Sequence, residues 1–139
     1  MLAQTELDIG QDLREAIELY FEALYMCDVD LLDRVFHPAS SLFDADAGAI
    51  FVDPITHYRQ TIAERASPAS LGQVRQDEIL LVDHLSDNAA LAKVRLRIHQ
   101  NVFVDHLCYA RSGGCWRIVA KLWHLEGTIK DLPSIDLKS

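Results

Sequence analysis

Residues 89–125 read AALAKVRLRIHQNVFVDHLCYARSGGCWRIVAKLWHL. Ala92, Val94, Leu96 and Ile98 are apolar and the residues between them, Lys93, Arg95, Arg97 and His99, are not. This period of two places the even positions of the segment inside. Gln100-Asn101 and Ser112-Gly113-Gly114 interrupt the pattern with turn residues, so three long antiparallel strands are predicted, about 89–99, 102–111 and 115–125. A two-residue turn at Gln100-Asn101 pairs His99 with Val102 and Leu96 with Asp105, carrying the inner face onto Phe103, Asp105, Leu107 and Tyr109. A second turn at Ser112-Gly113 pairs Tyr109 with Trp116, Leu107 with Ile118, Asp105 with Ala120 and Phe103 with Leu122. The inner face then gains Trp116, Ile118, Ala120, Leu122 and His124, and a one-residue change in either turn would invert this assignment.

Toward the N-terminus the periodicity changes. From about Asp8 to Cys27 the apolar residues Ile9, Leu13, Ala16, Ile17, Tyr20, Phe21 and Leu24 form a helical stripe. Asp28 can cap a second, short helix carrying Leu31, Leu32, Val35 and Phe36, which Pro38 ends by disfavouring the helical conformation at His37. Ser40–Asp46 and Ala49–Val52 are short β-like runs broken at Ala47-Gly48. Asp53-Pro54 supplies a cap and a first-turn proline for a helix bearing Ile55, Tyr58 and Ile62, with a loop from Ala66 to Arg75 and a strand from about Glu78 to His84. Helices first and sheet last is an α+β order: N-terminal helices on a strongly curved antiparallel sheet that closes over a small-molecule-sized pocket. One domain over residues 1–139 is expected, with a mostly polar, loosely held tail from Glu126.

Composition narrows the function classes. Thirteen Lys and Arg against twenty-one Asp and Glu give a formal charge of −8, which opposes the counterion release that drives non-specific nucleic-acid binding. No apolar run approaches the roughly 18 residues of a membrane span, and MLAQTELDIG lacks the basic and apolar parts of a leader, so a cytoplasmic location without membrane attachment is expected. Cys27, Cys108 and Cys115 form neither a CxxC pair nor a ligand-like group with His, so reduced core thiols and no metal are expected. A glycine-rich phosphate loop, GxSxG and HExxH are absent, and no cofactor is anticipated.

This element order resembles the nuclear-transport-factor-2-like superfamily, which includes ketosteroid isomerases and SnoaL-like polyketide cyclases. Phe36-His37-Pro38, Phe103-Val104-Asp105-His106-Leu107 and Gly113-Gly114-Cys115-Trp116-Arg117-Ile118-Val119-Ala120-Lys121 look more narrowly like the family labelled putative lumazine-binding. The resemblance implies a cystatin-like cone with a central pocket, commonly in a dimer. It also places Asp105 loosely where ketosteroid isomerases keep an oxyanion-binding acid on a strand, without their full catalytic set.

The candidate site follows from the inner face. Asp105 among Phe103, Leu107, Leu96 and Ala120 is a carboxylate whose desolvation favours its neutral form. It is a candidate catalytic acid or base, or else one half of an ion pair with a His, Lys or Tyr that fixes the strand. His37, after the second helix, and His124, near the end of the last strand, are candidate catalytic partners at a cone mouth, or structural histidines at an edge of the core. Tyr20, Tyr58, Phe103, Trp116 and Leu122 are candidate ligand contacts. Two hypotheses follow. One is a cofactor-free isomerase, cyclase or dehydratase that moves a proton on an unidentified small molecule. The other is a non-catalytic homodimeric module that uses the half-apolar outer sheet face, unless the tail covers that face.

Overall fold

Gly10, with φ of 88°, turns the chain into helix α1 (Gln11–Met26) in the computed structural model, which describes residues 10–129. The apolar stripe buries Leu13, Ile17, Tyr20, Phe21 and Leu24, and the helix stops at Cys27 in the left-handed region. Asp28 then caps α2 (Val29–Val35), its carboxylate accepting the Leu31 N–H at 3.1 Å, as the sequence predicts. The helix ends one residue earlier than expected. Phe36 is already extended and opens strand β1 (Phe36–Asp44), so Pro38 lies inside a strand, where its missing N–H coincides with a register irregularity between Phe36 and Ser41. Strand β2 (Phe51–Pro54) returns antiparallel to β1 and leads into α3 (Ile55–Glu64), which buries Ile55, Tyr58 and Ile62.

A 3-10 turn (Ala69–Leu71) sits within the predicted loop. Strands β3 (Asp77–Ser86), β4 (Ala89–Ile98), β5 (Asn101–Ser112) and β6 (Cys115–Thr128) follow as a meander. The six strands form one curved, unclosed sheet in the order β2-β1-β6-β5-β4-β3. All neighbours are antiparallel except β1 and β6, which run parallel, so the sheet is mixed rather than purely antiparallel. The α1 stripe covers its inner face, where Ala92, Val94, Leu96, Leu107, Tyr109 and Ile118 join the helices in one core. Glu126–Thr128, assigned by sequence to the tail, belong to β6, and the Ile129 N–H donates to the Gln100 carbonyl at 2.8 Å. The rest of the expected tail lies outside the described residues.

Both predicted turns slide by one position. His99-Gln100 links β4 to β5, with His99 at φ of 56°, and Gly113-Gly114 links β5 to β6, with φ of 58° and 80°. Two adjacent positive φ values are the requirement of a type I′ hairpin turn, which glycine meets without strain. A one-position slide of a two-residue turn shifts pairing by two residues and leaves every side chain on its face. Leu96 thus pairs with Phe103, Val94 with Asp105 and Tyr109 with Ile118, and Asp105 still points inward.

The change of face comes further along β6. Tyr109 pairs with Ile118 but Cys108 pairs with Ala120, so Val119 is an extra residue, a β-bulge. From that point the alternation inverts. Lys121 faces Leu107 and Trp123 faces Asp105 on the inside, whereas Ala120, Leu122 and His124, expected inside, stand on the outer face. Leu122 is 52% exposed. The cysteines are free, and Cys115 is exposed at the start of β6 rather than in the core.

Candidate active site

Inverting β6 brings a lysine to the buried carboxylate. Asp105, on β5, is 1% exposed and Lys121, on β6, is 5% exposed; Lys121 Nζ lies 3.8 Å from Asp105 Oδ2. That separation is an ion pair longer than a hydrogen bond. The same carboxylate oxygen accepts the hydroxyl of Tyr20, delivered by the inward stripe of α1. Lys121 Nζ also sits 5.3 Å from the Tyr20 ring centroid and 5.2 Å from that of Tyr58, on α3, so two aromatic faces help to hold the ammonium. Three elements of sequence-distant origin therefore meet at one carboxylate.

The charge balance at Asp105 has opposing causes. Burial pushes its pKa above the ordinary 3.8, while the Lys121 charge and the Tyr20 hydrogen bond pull down without cancelling the rise. Burial and the neighbouring carboxylate hold the Tyr20 hydroxyl well above its ordinary 10.0, so it stays a donor. Tyr109, also buried, is raised for the same two reasons. Asp105 Oδ1 is buried and has no hydrogen-bond partner among the described residues. A buried carboxylate oxygen without a donor costs on the order of 1–3 kcal/mol, and a donor supplied by a ligand would recover it.

Asp105 and Lys121 line a cavity of about 160 Å³. Its apolar wall is Leu24, Leu96 and Ile98, and its aromatic wall is Phe103 and Trp123, whose rings meet edge to face at 5.7 Å. Tyr58, Asp53, Thr61 and Arg65 complete it from the β2–α3 side. Asp53 is not the helix cap that its position before Pro54 suggests. Pro54 takes the cap position, no side chain caps the helix, and the Asp53 carboxylate instead lies 2.6 Å from His57 Nδ1.

The sequence-predicted site residues divide accordingly. Asp105, Tyr58 and Phe103 line the cavity, and Tyr20 supports it from below through Asp105. Trp116 is buried near the β5–β6 turn, where the Arg111 guanidinium lies 5.1 Å from its ring centroid, and it does not line the cavity. His37 is exposed in β1, where its Nδ1 accepts the Ala39 N–H at 3.0 Å, and it takes no part in the cavity. His124 is on the outer face with Nδ1 2.7 Å from Asp46, and that contact holds the Asp46 carboxyl below its ordinary range. Leu122 shares the outer face. Lys121, Trp123, Asp53, Thr61 and Arg65 were not predicted. Lys121 alone carried a sequence signal, since an inward acid calls for a cation and Lys121 lies in the adjacent strand. No group of three or more His, Cys, Asp or Glu able to hold a metal occurs among the described residues, and no helix there is long and apolar enough to cross a membrane.

No match was found among curated proteins. Solved structures share the fold. A protein of unknown function described as NTF-2 like, from Silicibacter pomeroyi, superposes with a TM-score of 0.73 at 22% identity over 83% of this chain and 93% of that one. An NTF2-like protein of unknown function from Shewanella baltica gives 0.74 at 20% identity over 84% and 93%. A ketosteroid isomerase-like protein from Erwinia carotovora gives 0.60 at 13% identity over 84% and 95%. These structures share the fold of this chain, and because residues 10–124 match the family described as putative lumazine-binding, the chain belongs to the putative lumazine-binding family.

Proposed function

We propose that the cavity binds a one-ring carbonyl compound and moves a proton on it without a cofactor, with Asp105 as the base and Lys121 as the electrostatic partner. Asp105 lines the cavity and its buried Oδ1 has no hydrogen-bond partner among the described residues; that unused acceptor is the observation that carries this assignment. The volume supports the size of the ligand, because a cavity of about 150 Å³ is known to admit benzene. A raised carboxylate pKa brings a general base closer to neutral pH, where proton abstraction is most effective. In the step, Oδ1 takes a proton from the carbon beside the carbonyl, and the electron pair moves into an enolate whose oxygen lies toward the Lys121 ammonium. The protonated Asp105 then returns that proton to a conjugated carbon, which isomerises the ligand, or first exchanges it with solvent and delivers a solvent-derived proton to the same carbon, which labels the ligand in D2O. Neither outcome involves a redox change. His37 and His124 have no part in this step, because neither reaches the cavity.

Incubation of the protein in D2O with a panel of one-ring ketones, read by mass spectrometry, tests the proposal. Deuterium is expected at carbons beside the carbonyl of the ligands that bind, and binding without any enzyme-dependent exchange would leave only a binding site.

The outer sheet face supports a second function alongside the first. Leu81, Val119 and Leu122 are 50%, 41% and 52% exposed there, more apolar surface than water alone favours. We infer a homodimer through this face. Sedimentation at micromolar concentration should give twice the 15.7 kDa chain mass, and Leu122→Glu should give the monomer. A wild-type monomer would remove this inference.

A further inference from the structure

We propose that the ligand is anionic: a small ring carboxylate whose charged group docks on Arg65 while its carbonyl end reaches Asp105 and Lys121. This deepens the assignment of the Asp105 cavity as the ligand site and rests on it; the new element is the ligand's charge and the residue that selects it.

Four charged side chains line the cavity, and three of them have a side-chain partner. Asp105 faces Lys121 at 3.8 Å. Asp53 lies 2.6 Å from His57 Nδ1, one turn along α3. Arg65, the residue that ends α3, makes no ion pair and no side-chain hydrogen bond among the described residues, although it is half-buried and lines the wall. Two other half-buried arginines, of the sheet and its flank, are engaged by carboxylates, and Arg117, on β6, does not line the cavity. Arg75 holds Glu18 and Asp77 at 2.6 Å, and Arg95 holds Glu126 through two nitrogens at 3.0 and 3.1 Å. Arg65 is therefore the charged lining residue for which no ion pair or side-chain hydrogen bond occurs among the described residues.

Burial gives the orientation. Asp105 and Lys121 are almost inaccessible, whereas Thr61 is exposed and Asp53 and Arg65 are half-buried, so the sheet residues form the floor and the β2–α3 residues form the rim. A ligand that fills the space passes its ring along Phe103 and Trp123 and leaves its outer substituent at the rim. A guanidinium presents paired N–H donors that match a carboxylate, a geometry that a neutral amide does not match. The chain's net charge of −8 repels anions in general, which makes a local cationic rim the means of admitting one.

The test compares 4-oxocyclohexane-1-carboxylate with its neutral primary amide, by NMR titration of the full chain as wild type and as Arg65→Gln. The carboxylate is expected to bind wild type about tenfold more tightly than the amide or better, a preference of the size a charge-assisted pair supplies. Arg65→Gln is expected to abolish that preference, bringing the carboxylate's Kd to that of the amide measured on the same variant, and added salt is expected to weaken the carboxylate more than the amide on wild type. Equal affinity of the two probes, or a preference that survives Arg65→Gln, overturns the role of Arg65. If the amide still shifts the Trp123 indole signal in that case, the cavity remains the ligand site. If neither probe shifts it, the site assignment and the inference fall together.

Discussion

Lys121→Met is expected to destabilise the protein by about 3–5 kcal/mol near pH 8, the cost of leaving one member of a buried ion pair without its partner. The substitution keeps the length of the side chain and its packing against Tyr20 and Tyr58, so the loss is chiefly one of charge. It should depend on pH in a definite direction. Asp105 already has a pKa above the ordinary 3.8 in the folded protein, and losing Lys121, which lowers it, raises it further. Between 3.8 and the raised value the folded state holds a proton that the unfolded state has released. Stability therefore falls as pH rises through that window, and the penalty is smallest near pH 4. The double variant Asp105→Leu with Lys121→Met should regain most of the loss, because an apolar pair carries no unmatched charge. Urea unfolding of the three variants at two pH values measures all of this. A Lys121→Met penalty below 1 kcal/mol at pH 8 would mean that the ammonium is not the partner that holds Asp105.

Asp105→Asn should lower enzyme-dependent deuterium exchange by about 10²–10⁴, the range that a positioned general base contributes. The amide is nearly isosteric and can still accept the Tyr20 hydroxyl, which keeps the shape of the cavity. The unpaired Lys121 costs stability as in the converse variant, so exchange is read at a temperature where urea unfolding shows the variant folded. The amide cannot take up a proton at neutral pH. Loss of exchange with ligand affinity retained within a few fold separates a base from a residue that only shapes the pocket. Unchanged exchange in a folded Asp105→Asn protein would remove Asp105 from the chemistry.

The inward direction of Asp105 was legible because it depends on alternation along β4 and β5, and alternation tolerates the errors made in the turns. Both turns slide by one position, which moves partners by two residues and preserves faces. The bulge at Val119 has no such tolerance. Trp116 and Ile118 set an inside phase that Leu122 and His124 continue in the sequence, yet one unpaired residue transfers the inside to Lys121 and Trp123. Hydrophobicity favours the wrong phase here, since it places a leucine inside and a lysine outside. The need of a buried carboxylate for a cation overrides it. Asp53 illustrates a different limit, because Asp-Pro before a helix is a good capping signal and the competing partner, His57, is visible only when the helix brings it one turn around. Arg65 gave no sequence signal at all; its meaning lies in the charges around it that are already matched.

The most direct test of the central claim is the titration of the Asp105 carboxyl carbon by 13C NMR in the ligand-free protein. A base poised by burial should titrate above the ordinary 3.8 and fall back toward ordinary values on unfolding. A value at or below 3.8 would describe a carboxylate held only as the anion of a structural ion pair, and would contradict the account.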